Sequence, residues 1–153
     1  MNIDIRKIMV TTDFSETSYG AFPLAARIAE GFDAKLCCVY VLRSPDPFWI
    51  GNPAIGPVLP TPAALRAEAL EHLEKVVADK FGGLKRKALA VVINGQSHLE
   101  IVEYARQNDI DMIVMATHGH TGIQGVLIGS TTERVVRSAP CPVLTVRAPE
   151  KAD

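Results

Sequence analysis

The stretch from Met112 to Arg137 constrains the fold most, because it reads as a strand, a glycine-rich loop and a helix in succession. Met112–Ala116 is an apolar run with the length of a buried parallel strand. The loop after it contains Gly119, Gly122, Gly125 and Gly129. Glycines allow a ligand to approach the backbone, and a helix beginning just after Gly129 directs free N–H groups towards the loop. The stretch predicts an anion site suited to nucleotide phosphates; a merely flexible connection is the alternative.

Five short apolar runs alternate with helical patterns along the chain. We predict strands at Lys7–Thr12, Lys35–Leu42, Lys87–Ile93, Met112–Ala116 and Val143–Arg147. Such alternation is typical of βαβ units, with right-handed crossovers and a parallel sheet covered by helices on both faces. The sequence therefore predicts an α/β fold, with residues 1–153 forming a single domain.

The first two helices have readable ends. Ser15 is the predicted N-cap of a helix that reaches about Glu30, with Gly31 in the position after it. Pro23 interrupts this pattern and predicts a kink or a later start. The next helix begins at Thr61-Pro62, presents an apolar face and ends at Gly82-Gly83. That apolar face comprises Leu65, Ala69, Leu70, Leu73, Val76, Val77 and Phe81.

The last two helices are predicted to begin with capping boxes. Ser97–Glu100 opens a helix that reaches about Asn108, and Ser130–Glu133 opens the final helix, with Ser130 as N-cap. Pro140 stops that helix. Between the second strand and second helix, the irregular segment Arg43–Pro62 contains six prolines and Trp49, which indicates a functional or mobile loop.

Composition excludes several classes of function. An apolar content of 48% with 22% charged residues is that of a globular protein, and 153 residues suffice for a substantial core. A net charge of −1 gives no reason to expect a nucleic-acid partner. The longest apolar run is too short to span a membrane, and Met1–Asp4 lacks the pattern of a signal peptide. Cys37, Cys38 and Cys141 are expected to be reduced thiols in a cytoplasmic protein.

The glycine loop resembles the nucleotide-binding signature of the universal stress protein family, Gly-x2-Gly-x9-Gly-Ser/Thr. Gly119 and Gly129 are separated by nine residues, and Ser130 follows. Ala116 occupies the place of the first glycine. The segments Thr12–Ser15 and Pro140–Leu144 also match the family, so the resemblance covers nearly the whole chain.

This resemblance implies a specific architecture. It is a Rossmann-like three-layer sandwich of the adenine nucleotide alpha hydrolase-like type, with a five-stranded parallel sheet in the order 3-2-1-4-5. In that order the topological switch point lies between strands one and four, where open α/β sheets bind ligands. Asp13 and the turn from Ala116 to Gly119 would both reach this crevice.

The resemblance also implies how phosphates are held. No Walker-type Gly-Lys-Ser/Thr sequence occurs, so backbone N–H groups and the hydroxyls of Ser130, Thr131 and Thr132 would serve instead. Asp13, after Thr11 and Thr12, would lie near the ribose and the metal-bound phosphates, which makes it a possible Mg²⁺ ligand. A helix-capping acid is the alternative interpretation of Asp13.

The base and the histidines complete the predicted site. By resemblance, the backbone at Val41 recognises adenine and Met115 lies under the base, although both residues also read as core. His118 is expected beside the phosphates. The pair His118-x-His120 offers only two ligands, which makes a poor zinc site. Cys37 and Cys38, in a buried strand, are expected to be inert.

The last strand is an edge of the predicted sheet. Pro142 at its start suits an edge strand, and the apolar run Val143–Val146 invites pairing with another chain. Cover by the polar tail is the alternative. The family resemblance implies a homodimer joined through this strand.

Three hypotheses about function follow. The first is a cytoplasmic universal stress protein that binds ATP, ADP or AMP, with Mg²⁺, and acts as a homodimeric switch or sensor. Hydrolysis would be slow at most, because no general base and no P-loop lysine are evident. The second is a stress protein that works through protein contacts alone, which the alanine at position 116 motivates. The third is a nucleotidyl-transferring enzyme of related architecture.

Overall fold

Five parallel strands form one sheet in the order β3-β2-β1-β4-β5. The computed structural model describes residues 3–44, 60–118 and 128–147. The strands are β1 (Lys7–Thr12), β2 (Lys35–Leu42), β3 (Leu89–Asn94), β4 (Met112–Ala116) and β5 (Val143–Val146). The α/β class, the parallel sheet and the strand order are confirmed, although β3 begins two residues later than predicted and β5 ends one residue earlier.

Helices cover both faces of the sheet. They are α1 (Glu16–Tyr19), α2 (Phe22–Phe32), α3 (Pro62–Phe81), α4 (Ser97–Gln107) and α5 (Ser130–Ser138). The helices α2 and α3 pack on one face and α4 and α5 on the other, so two separate core clusters form. The described helices include none that is both long and apolar enough to cross a membrane.

Side chains of each strand alternate between the two clusters, as the period of a strand requires. Val10 packs with α2 and α3, whereas its neighbour Met9 packs with α4 and α5. In the same way Cys38 belongs to the first cluster and Cys37 to the second. Both faces being buried explains why the strands read as nearly continuous apolar runs.

The segment after β1 forms two helices rather than one. The Ser15 hydroxyl accepts a hydrogen bond of 3.1 Å from the Ser18 N–H, which confirms Ser15 as N-cap. The first helix lasts four residues, and a second begins at Phe22 with Pro23 in its first turn, where a missing N–H is tolerated. Pro23 was predicted to cause a kink or a later start; the structure instead has a helix directly after Ser15 and a second helix that begins next to Pro23.

The end of α2 was placed wrongly by the prediction. Gly31 lies inside the helix, which continues to Phe32. Asp33 is the C-cap, with φ of 52°, and its carboxylate makes two hydrogen bonds of 2.8 Å with Arg86. Asp33 therefore takes the left-handed position that glycine often occupies at helix ends.

The helix α3 follows its prediction closely. The Thr61 hydroxyl accepts from the Ala64 N–H at 3.1 Å, and Pro62 is the first helical residue. Its innermost side chains, all of the predicted apolar face, are Leu73, Val77 and Phe81. The helix ends before Gly82, as expected.

Both predicted capping boxes are wrong. Gln96 is the N-cap of α4 and Gly129 that of α5, and neither makes a side-chain cap hydrogen bond. The chain is still extended at these residues, with φ and ψ of −92° and 121° at Gln96 and −68° and 158° at Gly129. Ser97 and Ser130 are consequently the first helical residues, and their hydroxyls do not serve as N-caps.

Candidate functional site

A crevice of about 470 Å³ opens at the carboxyl ends of the central strands. It lies where β1 and β4 are neighbours although they are distant in sequence, which is the topological switch point of the sheet. The first turns of α4 and α5 contribute to its wall. Its volume falls within the range of small-molecule sites, about 300–1,000 Å³.

The structure brings the predicted site residues together around this crevice. Those that line it are Thr11, Thr12, Asp13, Val41, Met115, Ala116, His118, Gly129, Ser130, Thr131 and Thr132. Gly119, together with His120, Gly122 and Gly125, lies outside the described residues, as does Trp49. The ends of β1, β2 and β4, which are far apart in the sequence, therefore meet at one crevice, as expected.

The N-terminus of α5 forms one wall of the crevice. The first intrahelical hydrogen bond joins the Glu133 N–H to the Gly129 carbonyl at 2.9 Å. The amides of residues 130–132 precede that bond, so they belong to the group of N–H donors that a helix leaves unused. Together with the positive end of the helix dipole, they favour an anion at this wall.

Two hydrogen bonds fasten the start of α5 to the end of β4. The Thr132 hydroxyl donates to the Ala116 carbonyl at 2.9 Å, and Thr132 is buried. The Gly129 N–H donates to the Thr117 carbonyl at 2.5 Å. The helix N-terminus is consequently fixed relative to the strand end.

The approach at Gly129 is close enough to disfavour a side chain. A Cβ at this position would lie 3.1 Å from the Thr117 carbonyl oxygen and 3.8 Å from the Cα of His118. Because the φ of −68° is open to any residue, the constraint is one of space rather than of backbone conformation. Glycine is therefore favoured here by its lack of a Cβ.

Asp13 is part of a hydrogen-bonded turn between β1 and α1. Its Oδ1 accepts hydrogen bonds from the Ser15 N–H, at 3.0 Å, and from the Ser15 hydroxyl. Ser15 in turn caps α1. Asp13 thus supports the capping residue instead of capping the helix itself, while it also lines the crevice.

The Thr12 hydroxyl is engaged within the protein. It lies 2.8 Å from the Ser18 hydroxyl and accepts the Phe14 N–H at 3.0 Å. Ser18 also donates to the Ser15 carbonyl at 2.7 Å. This network fixes the turn that carries Asp13, so Thr12 acts on the crevice through the shape of that turn.

The crevice has an apolar side where β2 meets α4. Val39, Val41, Ile101 and Met115 line it, and all four belong to the core cluster beneath α4 and α5. Met115 is 3% exposed, which shows that the predicted core role and a place in the crevice wall coincide. Apolar walls of this kind suit an aromatic ring.

Sequence reasoning missed several lining residues. They are Ser18, Val39, Tyr40, Leu42, Arg43, Ser97 and Ile101. Ser97 had an available signal, because it opens the helix after β3 just as Ser130 opens the helix after β4. Tyr40 is placed by the register of the sheet, which pairs it with Thr12, and local sequence does not reveal that pairing.

Side chains that bind metals are not grouped into a site in the part of the chain that the structure describes. That part contains no group of three or more His, Cys, Asp or Glu side chains suited to a metal ion. The His118 ring nitrogen Nδ1 lies 3.1 Å from the Thr117 hydroxyl. Asp13 is the carboxylate among the described lining residues. One carboxylate fits Mg²⁺ that is held mainly by phosphates and water, as is usual for nucleotide-bound magnesium.

The doubly wound parallel sheet makes this an α/β protein of the Rossmann-like type, a class in which ligands bind in the crevice at the switch point. The profile of the universal stress protein family matches residues 4–147 of the chain. The protein belongs to this family.

Relatives with similar sequences cover nearly the whole chain. A universal stress protein of Methanocaldococcus jannaschii is 39% identical over 148 residues, which is 95% of this chain and 84% of the relative. The structure of the universal stress protein UspA from Lactobacillus plantarum is 27% identical, with a TM-score of 0.75, and the match covers 95% of this chain and 100% of that one.

Two more distant structures of the same fold contain a nucleotide. A universal stress protein in complex with cAMP is 24% identical, with a TM-score of 0.66 and coverage of 94% of this chain and 98% of that one. A family protein from Arabidopsis thaliana with AMP bound is 21% identical, with a TM-score of 0.65 and coverage of 95% and 93%.

Proposed function

We propose that this protein binds an adenine nucleotide, ATP, ADP or AMP, in the crevice, and acts as a homodimeric, nucleotide-dependent switch in a cytoplasmic stress response. The observation that carries the proposal is the N-terminus of α5, fixed against the end of β4 by the Thr132–Ala116 hydrogen bond, on the wall of a ligand-sized crevice. The nucleotides in the two more distant structures support the same choice of ligand.

The phosphates are assigned to the wall formed by α5. Its amide donors at residues 130–132 and the hydroxyls of Ser130 and Thr131 present several hydrogen-bond donors without a lysine. The Thr132 hydroxyl is already used in holding the Ala116 carbonyl, so its part is to position the helix. Gly129, where a Cβ would lie 3.1 Å from the Thr117 carbonyl, lets the start of α5 lie close to the end of β4. By resemblance, Gly119 and His118 belong to the same side of the site.

The base is assigned to the apolar side of the crevice. Val41 and Met115 contribute to walls that are otherwise made of Val39 and Ile101, and an adenine ring would bury apolar surface there. Val41 lies near the end of β2, one residue beyond the last pair with β1, and pairs with Ile93 of β3. Thr11, on the neighbouring strand, completes this part of the proposed site.

Magnesium is assigned to Asp13 together with the phosphates of the nucleotide. The turn around Ser15 holds the Asp13 carboxylate at the crevice wall, so a metal ion that arrives with ATP would find an oppositely charged partner there. A single carboxylate does not make a metal site by itself. We therefore propose that Mg²⁺ binds with ATP and not before it.

Ala116 is compatible with nucleotide binding. Its side chain is 7% exposed and belongs to the core cluster that packs against α2 and α3. The amides of α5, in contrast, belong to the opposite layer of the fold. Although Ala116 lines the crevice, it exposes little surface there, and we propose that a bound nucleotide tolerates its methyl group.

Binding, rather than rapid turnover, is the activity that the crevice supports. Arg43 is the one arginine or lysine among the described residues that line it. A lysine positioned as in a P-loop is absent from the sequence. With so few cationic side chains, any hydrolysis of ATP would be slow, because the charge that develops on the phosphates would be stabilised mainly by backbone dipoles.

The dimer is assigned to strand β5. It pairs with β4 on one side, and its four residues are all partly exposed. An edge strand of this kind can pair with its copy in a second chain. The three cysteines, all free thiols, fit a reducing compartment such as the cytoplasm.

Calorimetric titration of the protein with ATP and AMP, each with and without Mg²⁺, tests the proposal. Saturable binding is expected for both nucleotides, and Mg²⁺ should strengthen the binding of ATP more than that of AMP. The variant Gly129→Val, whose side chain would crowd the Thr117 carbonyl, should lose binding while it remains folded. Absence of binding by the unmodified protein at millimolar nucleotide would refute the proposal and favour a role in protein contacts alone.

A further inference from the structure

Phe14 has a backbone conformation that an aromatic residue seldom adopts. Its φ is 65°, in the left-handed region, and it lies between Asp13 and Ser15. A side chain with a Cβ is disfavoured in this region, so surrounding contacts have to hold it there. The position matters because the turn is the one that places the Asp13 carboxylate on the crevice wall.

The ring of Phe14 contacts two other rings. His72 of α3 stacks on one of its sides, with ring centroids 4.2 Å apart and planes inclined by 10°. Tyr40 of β2 also contacts it, with centroids 4.4 Å apart and planes inclined by 38°. We call these three residues the aromatic clamp. Tyr40 lines the crevice, whereas His72 belongs to a helix that does not.

We propose that Phe14 is a positioning residue for nucleotide binding. The aromatic clamp holds the left-handed backbone at Phe14, and this backbone keeps the Ser15 N–H on the Asp13 carboxylate. The Phe14 N–H is itself directed to the Thr12 hydroxyl, so both sides of the turn depend on the same conformation. The role in ligand binding rests on the proposed function, but the effect on the turn does not.

One consequence is a connection from α3 to the crevice. His72 has no place in the crevice wall, yet its ring packs directly on the residue that follows Asp13. Removal of the His72 ring should therefore loosen the turn at a distance from α3 itself. Val77 lies on the same helix as His72 and is buried in the core cluster against which Phe14 packs, but it is outside the clamp. It therefore provides a matched control.

Hydrogen exchange at the Ser15 amide tests the effect on the turn without any ligand. Phe14→Ala and His72→Ala should each accelerate exchange of this amide by about tenfold or more, because opening of the turn becomes easier. Phe14→Gly, which removes the ring but relieves the backbone, should have a smaller effect than Phe14→Ala. Phe14→Tyr and His72→Phe retain a ring at each position. In these two variants, and in Val77→Ala, the Ser15 amide should exchange at nearly the rate of the unmodified protein.

Nucleotide titration of the same variants tests the consequence for binding. Phe14→Ala and His72→Ala should raise the Kd for Mg²⁺-ATP by about fivefold, since a binding group loses its supporting contacts. Unaltered Ser15 exchange in both alanine variants would overturn the inference. Accelerated exchange in a protein that binds no nucleotide would leave the clamp in place and refute the proposed function instead. Accelerated exchange with an unchanged Kd would overturn the positioning role.

Discussion

The hydroxyl of Thr132 donates a hydrogen bond of 2.9 Å to the carbonyl oxygen of Ala116, and thereby joins the first turn of α5 to the last residue of β4. Both residues are buried, so the carbonyl has little access to water as an alternative donor. This side chain thus helps the Gly129–Thr117 backbone hydrogen bond to hold the helix N-terminus against the end of the strand.

Thr132→Val should destabilise the protein, because the Ala116 carbonyl would remain buried without its donor. The expected loss is about 1–3 kcal/mol in the free energy of unfolding. Unfolding in urea, followed by circular dichroism, measures it. Thr132→Ser keeps the hydroxyl and removes only the methyl group, so it should be less destabilised than Thr132→Val; a Thr132→Val protein as stable as the unmodified one would contradict the role of the hydrogen bond.

Gly129→Ala should weaken nucleotide binding by about tenfold, equivalent to about 1.4 kcal/mol. The added Cβ would lie 3.1 Å from the Thr117 carbonyl, so the start of α5 would have to shift. Calorimetric titration with AMP measures the change. Gly31→Ala is a suitable control, because a Cβ there meets nothing within 4 Å and alanine favours the helix interior. An AMP affinity unchanged by Gly129→Ala would contradict the close approach proposed for this wall.

Asp13→Asn should separate the charge of Asp13 from its role in the turn. The asparagine side chain retains an oxygen that can accept from Ser15, so the turn should persist. Affinity for ATP in the presence of Mg²⁺ is expected to fall by about tenfold, because the metal loses a charged partner. Affinity for AMP without Mg²⁺ should change little. A similar loss for both ligands would assign Asp13 to the turn alone.

Thr145→Pro should prevent dimerisation through β5 while it leaves the pairing with β4 intact. The carbonyls of Pro142 and Val146 accept hydrogen bonds from β4. Because successive residues of a strand point their backbone groups to opposite sides, the N–H of Thr145 faces the outer edge. Analytical ultracentrifugation should show a monomer for Thr145→Pro and a dimer for Thr145→Ala. A dimer in both cases would place the interface elsewhere.

The stability of the protein should fall steeply in alkali because of Cys37. Burial raises the pKa of this thiol from its ordinary value of 9.0 to about 12. The unfolded chain therefore loses a proton from about pH 9 upwards while the folded chain retains it, so stability is full below that pH and declines between pH 9 and 12. The contribution is about 1.4 kcal/mol for each pH unit. Cys37→Ala should reduce the alkaline slope of the unfolding free energy by this amount, and an unchanged slope would contradict it.

Much of the fold was predictable because its signals are local. Apolar runs marked all five strands, and Thr61-Pro62 marked the start of α3, since a hydroxyl cap and a proline act within one turn. The end of α2 was not predictable in this way. It depends on Asp33, whose partner Arg86 lies 53 residues away in the sequence.

The candidate site was predictable where it follows from strand ends and glycine spacing. Asp13 and Gly129 were found in this manner. Tyr40 was missed because only the register between β1 and β2 places it beside Thr12. The predicted N-cap of α5 was wrong for a related reason. Gly129, and not Ser130, is the N-cap, and its N–H is held by the Thr117 carbonyl, which is a tertiary contact.

The neighbouring residues Cys37 and Cys38 offer a way to observe the two helical layers separately. Their sulfur atoms lie on opposite faces of one strand, in different core clusters. A small spectroscopic label or isotope-marked methyl group at one site would therefore sense α4 and α5, and the same probe one residue later would sense α2 and α3. An event that loosens a single layer, such as ligand release, would change the signal of the probe in that layer and leave the signal of the other probe unchanged.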